Sequence, residues 1–96
     1  MYYVYLLLSE KDNHFYVGYS SNLRQRIKAH LNKEVTATKH RHPVKLIYYE
    51  ACLDSKDAYM REKYLKSGMG KRYLKNRLKR FLTLTGWRSD KTKWTV

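Results

Sequence analysis

The sequence predicts a small α/β domain in which helices flank a three-stranded antiparallel sheet. Three short runs rich in aromatic and β-branched residues have the composition of strands, at residues 2–8, 15–19 and 44–52. Between and after these runs, apolar residues recur with helical spacing. The chain has 96 residues, of which 43% are hydrophobic, and this suits one packed domain and leaves no room for a second.

The first two strands are predicted to form a hairpin. The run Tyr2–Leu8 stops at a polar segment, residues 9–14, whose Asp and Asn favour a turn, and Phe15–Tyr19 then resumes the strand composition. Two such runs joined by a short polar segment most simply pair antiparallel. Gly18, inside the second strand, predicts a place where another group approaches the backbone closely.

The first helix is predicted over residues 22–33. Ser21 or Asn22 can cap it, and its apolar residues return every fourth position, at Leu23, Ile27 and Leu31. Residues 33–43 are polar and end at the chain's one proline, which indicates a loop. The third strand, residues 44–52, is long enough to lie beside the hairpin.

Two more helices are expected after the third strand. Asp54 and Asp57 predict the start of a helix that runs to about Lys66. Gly68 and Gly70 are expected to break the chain. The last helix has an apolar stripe, formed by Leu74, Leu78, Phe81 and Leu82, opposite a basic face. Gly86 is expected to end this helix, so residues 1–85 are predicted to form the domain and residues 86–96 a polar tail.

The charge of the chain predicts an anionic partner. Lys and Arg number 21 against 8 Asp and Glu, a net charge of +13, and residues 61–96 carry 12 of those cations and 2 of the acids. No stretch approaches the roughly 20 apolar residues of a membrane span. The first eight residues lack the features of a signal peptide. We therefore expect a cytoplasmic protein that binds nucleic acid and does not contact a membrane.

Two groups of side chains on the predicted helices could carry chemistry. Glu62 falls on the inward face of its helix, where a carboxylate needs either a metal ion or a salt bridge with Arg61 or Lys66. Arg26 and His30 are one helical turn apart and could together hold a phosphate, although a solvated basic face is the simpler interpretation.

The strand tyrosines form a second candidate group. Tyr3 and Tyr5 lie on one arm of the hairpin, Tyr16 and Tyr19 on the other, and each pair is expected to share a face of the sheet. Two phenols beside Arg26 would form a candidate site. Plain sheet packing is the usual role of tyrosine in strands, so both interpretations stay open.

Taken in order, these elements resemble the GIY-YIG nuclease domain. The motifs are Tyr3-Val4-Tyr5 and, about ten residues later, Tyr16-Val17-Gly18, followed by Arg26 and His30 on a helix and Glu62 on a later one. The chain resembles in particular the small stand-alone members that are similar to the N-terminal domain of the excision-repair incision nuclease. The resemblance spans residues 2–82, although the first motif lacks the glycine of the family name.

The resemblance implies a metal-dependent endonuclease that hydrolyses DNA phosphodiester bonds, with structure-specific action in repair or recombination. It implies Mg²⁺, replaceable by Mn²⁺, held by Glu62, and a phosphate contact from Arg26 with His30 beside it. Tyr5 is expected to be the general base and Tyr16 to position the water, with these roles exchangeable. Asn76 matches an asparagine that is often present in the last helix of the family.

The partner is expected to be DNA, with RNA as an alternative, bound without a small-molecule cofactor by a monomer or weak dimer. Basic side chains of the first and last helices are expected to hold the phosphate backbone, namely Arg24, Lys28, Arg72, Lys75, Lys79 and Arg80. A different class of function stays open: a module of the same fold that binds DNA or structured RNA and cleaves neither. A basic structural protein of a ribonucleoprotein particle is a third alternative.

Overall fold

A computed structural model describes residues 1–84, which form three strands and four helices. In chain order these are β1 (Tyr2–Ser9), β2 (Phe15–Ser20), α1 (Leu23–Leu31), β3 (Val44–Cys52), α2 (Ser55–Leu65), α3 (Gly68–Arg77) and α4 (Lys79–Leu84). The strands form one antiparallel sheet in the order β2-β1-β3. The predicted fold class is thereby confirmed. The predicted tail and the helix end at Gly86 lie outside the described residues, and none of α1–α4 is long and apolar enough to cross a membrane.

The sheet is covered by helices on both faces. Alternate residues of a strand point to opposite faces, and one face of the hairpin packs with α2, α3 and α4 into a core that contains Val4, Leu6, Leu8, Phe15, Val17, Ala58, Leu65, Leu74 and Leu82. The other face carries Tyr5 and is covered by α1, whose His30 contacts the Tyr5 ring. The central strand β1 is therefore buried between two helical layers.

Two polar side chains begin helices where the sequence predicts. The Asn22 side chain accepts a hydrogen bond from the Gln25 N–H (3.1 Å), and the Asp54 side chain accepts one from the Asp57 N–H (3.1 Å). Each cap satisfies a backbone donor that has no partner within its own helix. The caps fix where α1 leaves the hairpin and where α2 leaves β3.

The pairing of β3 with β1 contains a β-bulge. Leu6 pairs with Tyr48 but Leu7 pairs with Leu46, so Ile47 is the additional residue on β3. A bulge changes which side chains share a face. Leu46 and Tyr49, three residues apart, consequently lie on the same face of the sheet as Tyr5, which pairs directly with Tyr49.

Two predictions about the helices after α2 are wrong. The chain breaks at Lys66 and Ser67, and the glycines expected to break it instead form the first turn of α3, where the Ser67 hydroxyl accepts from the Gly70 N–H (3.2 Å). The last helix is also two helices, since Leu78 leaves the helical conformation (φ −105°, ψ 18°) between α3 and α4. Residues 76–79 contain no Gly or Pro that would signal this break.

Gly70→Ala is expected to lower the free energy of unfolding by about 2–3 kcal/mol. A Cβ at this position would lie 2.7 Å from the carbonyl carbon of Tyr64 and still closer to other backbone atoms of α2, which cannot rotate away. Gly68→Ala is the control, because no atom lies within 4 Å of its added Cβ and alanine favours helix. Urea unfolding should show a large loss for the first variant and none for the second; equal midpoints would contradict the close packing of this corner.

Candidate active site

Tyr5, at the middle of the sheet, is the centre of a hydrogen-bonded group. Its side chain is 3% exposed. The phenol oxygen lies 2.9 Å from His30 Nε2 and accepts a hydrogen bond from Arg26 Nε at 3.3 Å. Helix α1 presents both partners because residues four apart lie on one helix face. The structure thus joins three of the predicted site residues directly.

Gly18 provides the space for the Tyr5 ring. Gly18 pairs with Tyr5 across β1 and β2, and a Cβ on Gly18 would lie 2.6 Å from Tyr5 Cζ. The close approach that the sequence predicts at this glycine is therefore the approach of the Tyr5 phenol. Any larger side chain at this position would displace the Tyr5 phenol, which forms hydrogen bonds with Arg26 and His30.

His30 is bonded through both ring nitrogens. It is 4% exposed, and its Nδ1 lies 2.7 Å from Oγ1 of Thr38, which is fully buried. Nε2 faces Tyr5 and Nδ1 faces Thr38, so in either neutral tautomer His30 donates to one hydroxyl and accepts from the other. Neither nitrogen is left for a phosphate. The shared phosphate contact with Arg26 is therefore not available to His30, the solvated-face interpretation is wrong for His30, and a phosphate contact of Arg26 stays a prediction.

Thr38 is the member of this group that the sequence analysis misses. It belongs to the polar loop between α1 and β3, and a threonine in such a loop carries no signal of burial. Its position depends on the path of the loop beneath α1, where Thr38 N–H donates to the Val35 carbonyl and the Thr38 carbonyl accepts from Arg41 N–H. These backbone bonds hold the hydroxyl against the imidazole.

The imidazole of His30 is neutral at pH 7. Burial, the neighbouring Arg26 cation and His42 lower the pKa of His30 to about 4. A neutral imidazole donates from one ring nitrogen and accepts at the other, so it can bridge the hydroxyls of Tyr5 and Thr38. Because so low a pKa means that the ring binds a further proton weakly, His30 positions the Tyr5 oxygen and does not take its proton.

The stability of the protein is expected to fall by roughly 2–3 kcal/mol between pH 6.5 and pH 4 because of His30. Its pKa is lower in the folded protein, about 4 against 6.5, so the unfolded chain binds more protons in this window. The contribution is complete above pH 6.5 and is lost as the pH falls through 4. Urea unfolding across this range should lose much of its pH dependence in His30→Gln and keep it in His40→Asn, a change at an exposed histidine. An unchanged pH dependence in His30→Gln would contradict the burial of a neutral imidazole.

Tyr16 lies on the Tyr5 face of the sheet, since it pairs with Leu7 on β1. Burial and the carboxylate of Asp12 raise the pKa of Tyr16, against a lowering by Arg41. Tyr19 is on the other face, with its ring centroid 5.9 Å from that of Tyr59 in α2. The prediction that Tyr16 and Tyr19 share a face is wrong, because residues three apart in a strand point in opposite directions.

Glu62 has the salt bridge that the sequence analysis names as the alternative to a metal. Its carboxylate, 14% exposed, lies 3.2 Å from Nζ of Lys66 one turn later in the chain. Arg61, the other possible partner, instead donates twice to Glu50, at 2.8 and 3.0 Å. Lys66 is 42% exposed, so it can turn into solvent at small cost.

The carboxylate fits one kind of metal. Residues 1–84 hold no group of three or more His, Cys, Asp or Glu side chains that could form a metal cage. Mg²⁺ does not need one, because it keeps several waters and is commonly bound by one or two carboxylates together with substrate phosphate. Glu62 suits such a hydrated ion, but α2 packs on the face of the sheet opposite Tyr5, so a metal held by Glu62 that acts together with Tyr5 and Arg26 stays a prediction.

The other predicted contacts lie on two sides of the molecule. Arg24 and Lys28 are exposed on α1, on the Tyr5 side. Asn76 is exposed on α3, which packs on the opposite face of the sheet, and it lines a groove between α3 and α4. Arg72, Lys75 and Lys79 line the same groove, and Arg80 is exposed on α4. A catalytic role for Asn76 stays a prediction, and the structure places it away from Tyr5.

The fold and this group of residues define a class of protein, and comparison with known proteins agrees. Residues 1–79 match the family model described as the GIY-YIG catalytic domain, so the chain belongs to the GIY-YIG family. The family is one of nucleases, which implies a nucleic acid substrate and, generally, a divalent metal.

The relatives are small proteins of similar size. The chain is 45% identical over 67 residues to a UPF0213 protein of Clostridium perfringens, covering 69% of this chain and 71% of the relative. It is 40% identical over 68 residues to a UPF0213 protein of Limosilactobacillus reuteri, covering 68% and 70%. The UPF0213 protein YazA of Bacillus subtilis is 40% identical over 57 residues, 58% of each chain. No solved structure matches significantly.

Proposed function

We propose that this protein is a metal-dependent endonuclease that hydrolyses phosphodiester bonds in DNA. The observation that carries the proposal is a hydrogen-bonded series that runs from exposed Arg26 to buried Tyr5, His30 and Thr38. Sheet packing alone does not require a tyrosine whose oxygen bonds both a cation and a neutral imidazole. A phenol that acts as a base near neutral pH does require such partners, because they stabilise its anion.

Tyr5 is the general base in this mechanism. The Tyr5 phenolate, formed by loss of the phenol proton to solvent, takes a proton from the attacking water, while neutral His30 donates from Nε2 to the Tyr5 oxygen and accepts from the Thr38 hydroxyl at Nδ1. Negative charge on the phenol is stabilised by the Arg26 N–H that already contacts it. Tyr16 is the less suitable base because burial and Asp12 raise the pKa of its phenol, and it is assigned the positioning of the water.

Arg26 and Glu62 complete the proposed chemistry. Arg26 is an exposed residue that uses Nε for Tyr5, which leaves its terminal nitrogens for an oxygen of the substrate phosphate. Glu62 would hold Mg²⁺ or Mn²⁺, which supplies charge neutralisation at the phosphate and the leaving oxygen. Lys66 must release the carboxylate for that role.

The test is cleavage by the purified full-length chain. Plasmid and labelled single-stranded, duplex, flapped and branched DNAs are incubated with Mg²⁺, with Mn²⁺, or with EDTA. We expect cuts with either metal and none with EDTA. Tight, salt-dependent binding without cuts under any metal would contradict the proposal.

The Glu62–Lys66 ion pair favours a second candidate function, a module that binds nucleic acid and cleaves nothing. The charge of the Glu62 carboxylate is already compensated by Lys66, so the carboxylate does not require a metal. In that case DNA or structured RNA should bind equally well with Mg²⁺ and with EDTA, because the basic residues alone contribute the affinity.

A further inference from the structure

A groove of about 590 Å³ lies between α1 and the sheet, on the Tyr5 face. Its volume is within the range of about 300–1,000 Å³ that is usual for ligand sites. The lining residues include Tyr3 of β1 and Tyr49 of β3, and from α1 Arg24, Lys28 and Leu31. The proposed cleavage mechanism uses none of these side chains.

The walls of the groove are aromatic and apolar. The rings of Tyr3 and Tyr49 meet edge to face with centroids 6.1 Å apart. Tyr49 is 53% exposed and Leu31 is 54% exposed, so large apolar surface faces solvent at this place. An exposed ring beside cations is a platform on which a nucleic acid base can stack.

The positive charge of the groove indicates which kind of ligand it binds. Arg24 and Lys28 are exposed, and neither forms an ion pair with a carboxylate in residues 1–84. No Asp or Glu of the described chain lines the groove. A ligand with a flat apolar part and a negative charge complements these walls, and a nucleotide has both.

The groove lies beside Tyr5 on the sheet. Tyr49 pairs directly with Tyr5, and Tyr3 is two residues from Tyr5 on the same face of β1. Arg24 and Lys28 are each two residues before a member of the Tyr5 group, so they point to a different side of α1 from Arg26 and His30. The groove is therefore a neighbouring site, reached by a DNA strand that extends beyond a phosphate at Arg26.

We propose that this groove holds an unpaired nucleotide near the cleaved bond, so that the substrate is DNA that is single-stranded or unpaired at this position. The inference rests on the proposed function in one respect, that the bound strand is cleaved. A paired base is enclosed between its neighbours in the duplex and cannot place its face on Tyr49. Backbone contacts from Arg24 and Lys28 alone would not distinguish the two forms of DNA.

The test measures binding in EDTA, where no cleavage occurs, with labelled oligothymidylate and with a blunt DNA duplex. Tyr49→Leu should weaken binding of the single strand at least about fivefold and leave duplex binding within about twofold. Tyr49→Phe keeps the ring and should bind as the parent does. Tyr59→Leu is the matched control, because Tyr59 is another exposed tyrosine, 43% exposed, that contacts a strand tyrosine on the opposite face of the sheet.

Equal loss of single-strand and duplex binding in Tyr49→Leu, or no loss of either, would overturn the proposal. Leu31→Glu tests the groove from an exposed helix position that tolerates substitution, and it should weaken binding of the single strand more than of the duplex. Cleavage separates this inference from the proposed function. If the protein binds single strands through Tyr49 but never cuts DNA, the groove proposal is supported and the endonuclease proposal is contradicted. If it cuts duplex and single strands equally and Tyr49→Leu is unimpaired, the endonuclease proposal is supported and the groove proposal is contradicted.

Discussion

Tyr5→Phe is expected to reduce the rate of DNA cleavage by about 10³-fold. The change removes one oxygen, and that oxygen joins Arg26 to His30. Without it the attacking water has no base at this position, while the ring and its packing against Gly18 remain. The measurement is the single-turnover rate with saturating protein and Mg²⁺, so that weaker substrate binding does not affect the result.

Tyr48→Phe is the matched control for this prediction. Tyr48 is also a strand tyrosine with two polar contacts, since its hydroxyl donates to Glu50 at 2.7 Å and lies 3.4 Å from that of Tyr73. Each variant should lose about 1–2 kcal/mol of stability, because each leaves a partner without its hydrogen bond. The cleavage rate should fall in Tyr5→Phe alone. Comparable rates in the two variants would refute the general-base role of Tyr5.

Glu62→Gln is expected to abolish cleavage, with a loss of about 10³-fold or more. Glutamine has the size and shape of glutamate but lacks the charge that binds a divalent metal. The variant should also lose the response of the parent protein to added Mn²⁺, followed as a change in thermal midpoint. If Glu62→Gln cuts DNA at the parent rate, the proposal that cleavage needs a metal held by Glu62 is contradicted.

Lys66→Gln separates the metal role of Glu62 from its salt bridge. Both variants break the same ion pair, and because Lys66 is largely exposed, each should cost less than about 1 kcal/mol of stability. Lys66→Gln keeps the carboxylate and should cleave at least as fast as the parent. If the pair is purely structural, the two variants should be equal in both stability and cleavage.

Arg61 and Glu50 show how tertiary contacts choose among partners that the sequence leaves open. From spacing, Arg61 could pair with Glu62, its neighbour in the chain. In the structure Arg61 instead bonds Glu50 on β3 through two nitrogens. Burial alone would raise the pKa of Glu50, but hydrogen bonds from Arg61 and Tyr48 lower it. The pair ties α2 to the sheet and leaves Glu62 to Lys66.

Much of the fold could be predicted because its signals are local. Strand composition, the caps at Asn22 and Asp54 and the helical spacing of Arg26 and His30 depend on residues close together in the chain. These signals determined the sheet, the helices and the presence of Arg26 and His30 on one face of α1. The order of the motifs, with the same spacing, determined the family.

The tertiary structure alone decided the state of the site. Burial makes His30 neutral, the loop after α1 brings Thr38 against it, and the bulge at Ile47 puts Leu46 and Tyr49 together on the Tyr5 face. Each of these depends on how the elements pack together, and neither burial nor register follows from the spacing of neighbouring side chains. The sequence by itself determined which side chains are available for the chemistry, and the packing of α1 and its loop on the sheet decided their protonation and their partners.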